Sequence, residues 1–187
     1  MKNYQITEWC HHFIKEHVKE GDICIDATAG NGNDTQLLCE AVGEKGKVFA
    51  FDIQVEAVEH TRKRLLETGF ASRAEVLLES HINMAKYTEK ESISCIVFNF
   101  GYLPGGDHNL ATQKETSIRA IYEGLKLLKK GGLMSLCIYS GGDSGFEEKE
   151  AILEEIKKLD GKRYLVIVSS YYNRPNNPPI PVLIIKL

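Results

Sequence analysis

Ile25-Asp26-Ala27-Thr28-Ala29-Gly30-Asn31-Gly32-Asn33-Asp34-Thr35 carries the reading of the fold. Ile23 to Ala27 is a short apolar run, predicted as a strand, with an acid near its end. The next residues are small or polar, and a helix is expected from about Asp34 to Val42. A strand that turns on small residues into a helix opens a βαβ unit. Small side chains let the backbone turn sharply and come close to a ligand. The amides that begin the helix favour a negative group.

The same alternation extends in both directions from this turn. A helix is predicted over Ile6–Val18 before it. After it come a strand at Lys47–Asp52, a helix at Val55–Thr68, and strands at Ala74–Leu78 and Ile93–Phe98. Thr112-x-x-Glu115 resembles a capping box, and Ile118, Ile121, Leu125 and Leu128 recur behind it at helical spacing. This helix is expected to stop at Gly131-Gly132, before a strand at Leu133–Tyr139. Ser144-x-x-Glu147 reads as a second cap, for a helix through about Leu159. A strand at Tyr164–Ser170, a Pro/Asn turn at Asn173–Pro179 and a last strand at Pro181–Leu187 complete the chain. No helix signal lies between the last two strands. A parallel neighbour needs a long crossover, so the last strand is expected to pair antiparallel with the sixth. The expected fold is α/β: a seven-stranded, mostly parallel sheet with an antiparallel last strand and helices on both faces. It resembles the Rossmann-like sheet of class I methyltransferases. At 187 residues, with no internal repeat, one domain over 1–187 is expected.

The acids at the strand ends point to a ligand. Asp26, beside the turn Thr28, Gly30, Asn31, Gly32, Asn33, Asp34 and Thr35, can accept from an ammonium but would face a pyrophosphate unfavourably. The third glycine of a dinucleotide fingerprint is missing. Asp52, at the end of the second strand and twenty residues after Gly32, can accept both hydroxyls of a ribose. A nucleoside that carries an amino acid answers both features, which predicts S-adenosylmethionine as cofactor. Ile53 and Gln54 line the same edge. His81, past strand three, either contacts the cofactor or caps the following helix. Asn99, Phe100 and Gly101 end strand four, where open α/β sheets bind ligands. The segment that continues through Tyr102 and Gly105-Gly106 to Asp107 and His108 is expected to hold the acceptor. Asn99 would supply amide and carbonyl groups and Tyr102 an aromatic wall. Asp107, His108, Tyr139 and Asp143 are the candidate proton acceptors.

Asp26–Thr35, together with Asn99-Phe-Gly-Tyr-Leu-Pro-Gly-Gly-Asp107, resembles the YtqB group of rRNA-methylase-like proteins. Tyr139-Ser-Gly-Gly-Asp-Ser-Gly145 and Asn176-Asn-Pro-Pro179 extend the resemblance over essentially the whole chain. It implies an MnmM-type tRNA methyltransferase. Such enzymes methylate the exocyclic amine of 5-aminomethyl-2-thiouridine at the wobble position, with the tRNA anticodon region as partner. Two places depart from the pattern. Thr28 stands where the common methyltransferase motif has glycine, and Gly142-Asp143 stands where members often have Gly-His. A methyltransferase acting on rRNA or a small molecule, and a nucleoside-binding module without catalysis, are the competing readings.

The remaining composition bounds the setting. Cys10, Cys24, Cys39, Cys95 and Cys137 form no C-x-x-C pair and are expected as buried thiols, with no metal site. Met1–Lys19 intersperses charges with apolar residues, unlike a signal peptide, and no apolar run reaches membrane-spanning length. A cytoplasmic protein is expected, with its oligomeric state unread. Net charge is −3, which decides neither for nor against nucleic acid, since a local patch can bind phosphates on a mildly acidic chain. Arg62-Lys63-Arg64 read as surface and the helical His11, His12, His17 and His60 as surface or interface residues, whereas Arg119 and Arg174 lie nearer the predicted active edge.

Overall fold

The computed structural model describes residues 5–101, 113–139 and 142–187. Five helices are described: α1 (Ile6–His17), α2 (Asn33–Val42), α3 (Val55–Glu67), α4 (Lys114–Leu127) and α5 (Gly142–Ile156). The strands are β1 (Ile23–Asp26), β2 (Lys47–Asp52), β3 (Ala74–Leu78), β4 (Ile93–Phe100), β5 (Leu128–Ile138), β6 (Tyr164–Val168) and β7 (Ile180–Lys186). Short 3-10 turns cover Ala71–Arg73 and His81–Lys86.

All seven strands form one sheet in the order β3-β2-β1-β4-β5-β7-β6. β1 through β5 are parallel to one another. β7 pairs antiparallel with β6, as expected, and also antiparallel with β5, so it lies between them. Composition accounts for that order. Ile180–Lys186 is apolar along most of its length and largely buried, which suits an inner strand, whereas β6 leaves Leu165, Ile167 and Val168 exposed at the edge. The chain moves outward from β1 in one direction through β2 and β3, and from β4 in the other. The gap between the carboxyl ends of β1 and β4 is therefore the topological switch point.

Alternating side chains send the core to both faces of the sheet. Ile25, Ile96, Phe98 and Phe100 join Ile121 and Leu125 of α4 and Ile152 of α5 on one face. Cys24, Cys95 and Val97 join Ile14 of α1, Leu38 of α2 and Leu65 of α3 on the other. The five cysteines are buried and unpaired, as the sequence suggests.

Several boundaries differ from the sequence reading. α4 ends at Leu127 and does not run to Gly131-Gly132. Leu128 is already paired with Ile93, and four residues of β5 then bulge before Leu133 meets Cys95. The helix end is held by Lys186, whose Nζ donates to the carbonyls of Leu125 (3.4 Å) and Leu128 (2.7 Å) and to Glu91 (2.9 Å). A cation on the last carbonyls of a helix satisfies them as a glycine cap would. The N-cap of α4 is Gln113, without a side-chain capping bond; Thr112 of the expected capping box lies outside the described residues. α5 opens at Gly142, two residues before the expected Ser144, and closes at Ile156. Among the described residues no helix is long and apolar enough to cross a membrane, and no cluster of His, Cys, Asp or Glu could hold a metal.

Candidate active site

The turn after β1 is bound from three sides. Asp26 is fully buried; its carboxylate accepts from the Thr28 amide at 3.2 Å and the Thr35 hydroxyl at 2.6 Å. Both bonds lie inside the chain and close the turn onto the first turn of α2. Gly32 adopts φ 77° as the N-cap of α2. A Cβ there would sit 3.0 Å from the Cα of Thr61, so both the conformation and the approach of α3 require glycine. From α3, Thr61 donates to the Gly30 carbonyl at 3.2 Å and Arg64 Nε to the Asn31 carbonyl at 2.7 Å. The expectation that this Arg62-Lys63-Arg64 run is solvated surface is corrected for Arg64, which is half-buried. Arg64 also reaches Gln36, and Arg62 donates to the Val76 carbonyl at 2.8 Å. Arg62 and Lys63 are exposed.

Asp52 ends β2 and faces the same turn. One oxygen accepts from the Gly30 amide at 2.9 Å, the other from the Gln54 amide at 3.0 Å. Each carboxylate oxygen can accept a second bond. Beside it the side chains of Ile53 (58% exposed) and Leu78 (54%) leave apolar surface in the open. An acid with spare acceptor capacity next to bare apolar surface fits a ribose joined to a flat base. The cap of the turn after β3 is Ser80, whose Oγ accepts from the Ile82 amide at 3.4 Å. His81 instead places Nδ1 3.2 Å from the Ala27 carbonyl and its ring edge-on to Phe98. A carbonyl only accepts, so Nδ1 carries the proton. Burial holds this imidazole below its ordinary pKa and therefore neutral.

Asn99, at the end of β4, crosses the switch point. Its amide N–H donates to Thr28 Oγ1 at 2.7 Å, and its side-chain Nδ2 donates to Asp34 at 2.6 Å. The other Asp34 oxygen accepts from His11 Nε2 at 2.5 Å. Burial opposes a charged His11, but the bond to Asp34 and the charges of Asp34 and Glu8 outweigh it, and its pKa is raised. His11 is a site neighbour that the sequence reading left on the surface. Across Gly101 lies Tyr139, whose amide donates to the Phe100 carbonyl at 2.9 Å. A Cβ on Gly101 would come within 3.1 Å of the Tyr139 Cβ, so the glycine admits the ring. Burial, with Cys137 and Asp34 nearby, pushes the Tyr139 phenol well above its ordinary pKa, so it remains protonated and is a hydrogen-bond donor. Tyr102, Asp107, His108 and the side chain of Asp143 lie outside the described residues.

A doubly wound sheet with a glycine turn after β1, a ribose-type acid at the end of β2 and polar groups at the β1/β4 switch point defines a Rossmann-like nucleoside-binding protein of the class I methyltransferase type. A family model described as "Putative rRNA methylase" matches residues 48–185, and the chain belongs to that family. A solved structure of a protein of the same description from Clostridium thermocellum is 43% identical, covers 100% of both chains and superposes with a TM-score of 0.96. A Streptococcus mutans protein described as a methyltransferase, solved in complex with SAH, is 34% identical, with 100% coverage of both chains and a TM-score of 0.89. The chain is also 34% identical over 182 residues to the chloroplastic tRNA (mnm5s2U34)-methyltransferase of Arabidopsis thaliana. That match covers 92% of this chain and 66% of the relative, just under two thirds of its length.

Proposed function

We propose that this chain is an S-adenosylmethionine-dependent tRNA methyltransferase that methylates the exocyclic amine of 5-aminomethyl-2-thiouridine at the wobble position. The observation that carries the substrate is the 34% identity to the Arabidopsis tRNA (mnm5s2U34)-methyltransferase across 182 residues. The residues around the switch point fit the cofactor. Asp52 would accept the ribose hydroxyls, and Ile53 and Leu78 would flank the adenine. The amides opening α2 would face the methionine carboxylate. S-adenosylmethionine, when bound, supplies the methyl group as a sulfonium.

The chain must hold a neutral amine in line with that methyl group. An alkyl amine titrates near 10 in water, so keeping it neutral at pH 7 costs roughly 4 kcal/mol, and less for an aminomethyl group on a pyrimidine. Tyr139 is a phenol and donates to the substrate without taking its proton. Asp107 is proposed as the proton acceptor, with His108 and Asp143 as the alternatives the sequence offers, and Tyr102 as the wall for the base. Asn99 orients the amine.

Incubation with S-adenosylmethionine and tRNA carrying 5-aminomethyl-2-thiouridine, followed by nucleoside mass spectrometry, should convert that nucleoside to its 5-methylaminomethyl form. Parallel reactions with rRNA and small amines should stay unmodified. Methylation of rRNA in place of tRNA would replace this reading. Cofactor binding without turnover on any acceptor would favour a nucleoside-binding module.

A further inference from the structure

Asp34 stands between two donors on different elements. His11 of α1 reaches one oxygen at 2.5 Å and Asn99 Nδ2 at the end of β4 reaches the other at 2.6 Å. The acid and the imidazole are both largely covered, with His11 at 17% and Asp34 at 13% side-chain exposure. α1 is itself seated on the sheet at this level, because Ile6 and Cys10 of α1 pack against Cys137 of β5 in one buried cluster. An asparagine amide has a donor end and an acceptor end, and its orientation is set by its partners. A carboxylate accepts only, so Asp34 fixes the donor end. Oδ1 is then the end that Asn99 turns toward a ligand at the switch point.

We propose that His11 is a positioning residue for methyl transfer: by holding one oxygen of Asp34 it keeps the other on Asn99 Nδ2, so that Asn99 presents its carbonyl oxygen to the acceptor amine. The inference rests on the proposed amine methylation for its consequence and on the clamp alone for its geometry. A carbonyl oxygen accepts from an N–H of the incoming amine and leaves the nitrogen lone pair free to face the methyl group; an amide turned over would donate N–H to that lone pair and occupy it. The charged and titratable groups around His11 are Asp34 on α2, Glu8 and Cys10 on α1, and, beyond Asp34, Asp26 of β1 and Tyr139 and Cys137 near the end of β5. They are predominantly acidic, which suits a cationic donor at this place.

The test compares His11→Ala with His11→Gln, whose amide can still donate to Asp34 without a charge. His11→Ala should lower kcat for tRNA methylation about tenfold to a hundredfold, with the Kd for S-adenosylmethionine and the KM for tRNA within about twofold of wild type. His11→Gln should recover most of kcat. Amide NMR of the same proteins reads the clamp without activity. The Asn99 side-chain protons, assigned by their loss in Asn99→Asp, should be shifted and protected in wild type and His11→Gln, and lose both properties in His11→Ala. Unchanged kcat in folded His11→Ala overturns the proposal, as does a weakened cofactor Kd with kcat preserved at saturation, which would assign the cluster to cofactor binding. A wild type inactive on this tRNA fails the proposed substrate, while the Asn99 signals still decide the clamp. Their persistence in His11→Ala overturns it for any substrate.

Discussion

Enclosure of Asp26 pushes its carboxyl up to about 7, with the negative charges of Asp34 and Asp52 adding to burial and the bonds from Thr35 and Thr28 opposing it. The unfolded chain titrates this group near its ordinary 3.8, so between about pH 4 and pH 7 the folded state binds a proton that the unfolded state lacks. The contribution of Asp26 to stability is therefore greatest at the acid end of that window and declines as pH rises through it. Asn is the neutral isostere: its Oδ1 can keep the Thr28 amide and its Nδ2 can donate to the Thr35 hydroxyl. The thermal midpoint of Asp26→Asn minus that of wild type should increase between pH 5 and pH 8, followed by differential scanning calorimetry; a difference that is flat or falls with pH would mean that Asp26 ionises freely. Asp52 is the contrasting acid, with spare acceptor capacity toward the proposed cofactor. Asp52→Ala removes two charge-assisted bonds to ribose worth roughly 2–4 kcal/mol together. Titration calorimetry with S-adenosylmethionine should show at least about thirtyfold weaker binding, and an unchanged Kd would take Asp52 out of the site.

The turn between β1 and α2 depends on α3 as much as on its own glycines. Arg64 holds the Asn31 carbonyl through Nε and Gln36 through a second nitrogen, a fork that a lysine cannot reproduce. Arg64→Ala and Arg64→Lys should both weaken cofactor binding several-fold and lower stability by about 1 kcal/mol, since the guanidinium is only half-buried. Full recovery in the lysine variant, read by calorimetry and denaturant melts, would reduce the role of Arg64 to its charge. This element also marks what the sequence can tell. The turn, Asp52 and the end of β4 were legible because period-two strands and a small-residue turn leave strong local patterns. The antiparallel pairing of β7 with β6 followed from a connection with no room for a crossover helix. Its second pairing, with β5, needed a comparison of burial between two strands distant in sequence. Arg64 and His11 were not legible for a related reason. Helical spacing identifies Ile6, Cys10 and Ile14 as the buried seam of α1, but it does not say which acid of another element meets the residue beside that seam. Lys186 as the cap of α4 was hidden likewise, because a glycine pair nearby offered a simpler stop.

Across the whole molecule, the carboxyl edge of the sheet carries two separate regions. The cofactor-type residues gather at β1, β2 and β4. The turn after β6 lies on the same edge because β6, antiparallel to β7, runs in the direction of β1 through β5. Three strand spacings of about 4.8 Å separate β4 from β6, roughly 14 Å. That turn carries a fully exposed Tyr172 and an exposed Arg174, and its backbone bends through Asn176 (φ 65°) and Asn177 (φ 45°) before Pro178 and Pro179. With the reacting base at Asn99, as proposed, Arg174 at that separation would meet a phosphate of a neighbouring nucleotide. To bind RNA, a chain of net charge −3 would need such local contacts, since its overall field does not attract a polyanion. Arg174→Ala should weaken tRNA binding at low salt and reduce the slope of log affinity against log salt by about one phosphate contact. The Kd for S-adenosylmethionine should not change, because the substituted side chain stands at the far end of the sheet from Asp52. Fluorescence titrations over a range of salt concentrations measure both quantities. An unaltered affinity and slope would direct the RNA across β1 through β3 instead, whereas a loss of cofactor affinity would mean that the two regions are coupled through the sheet.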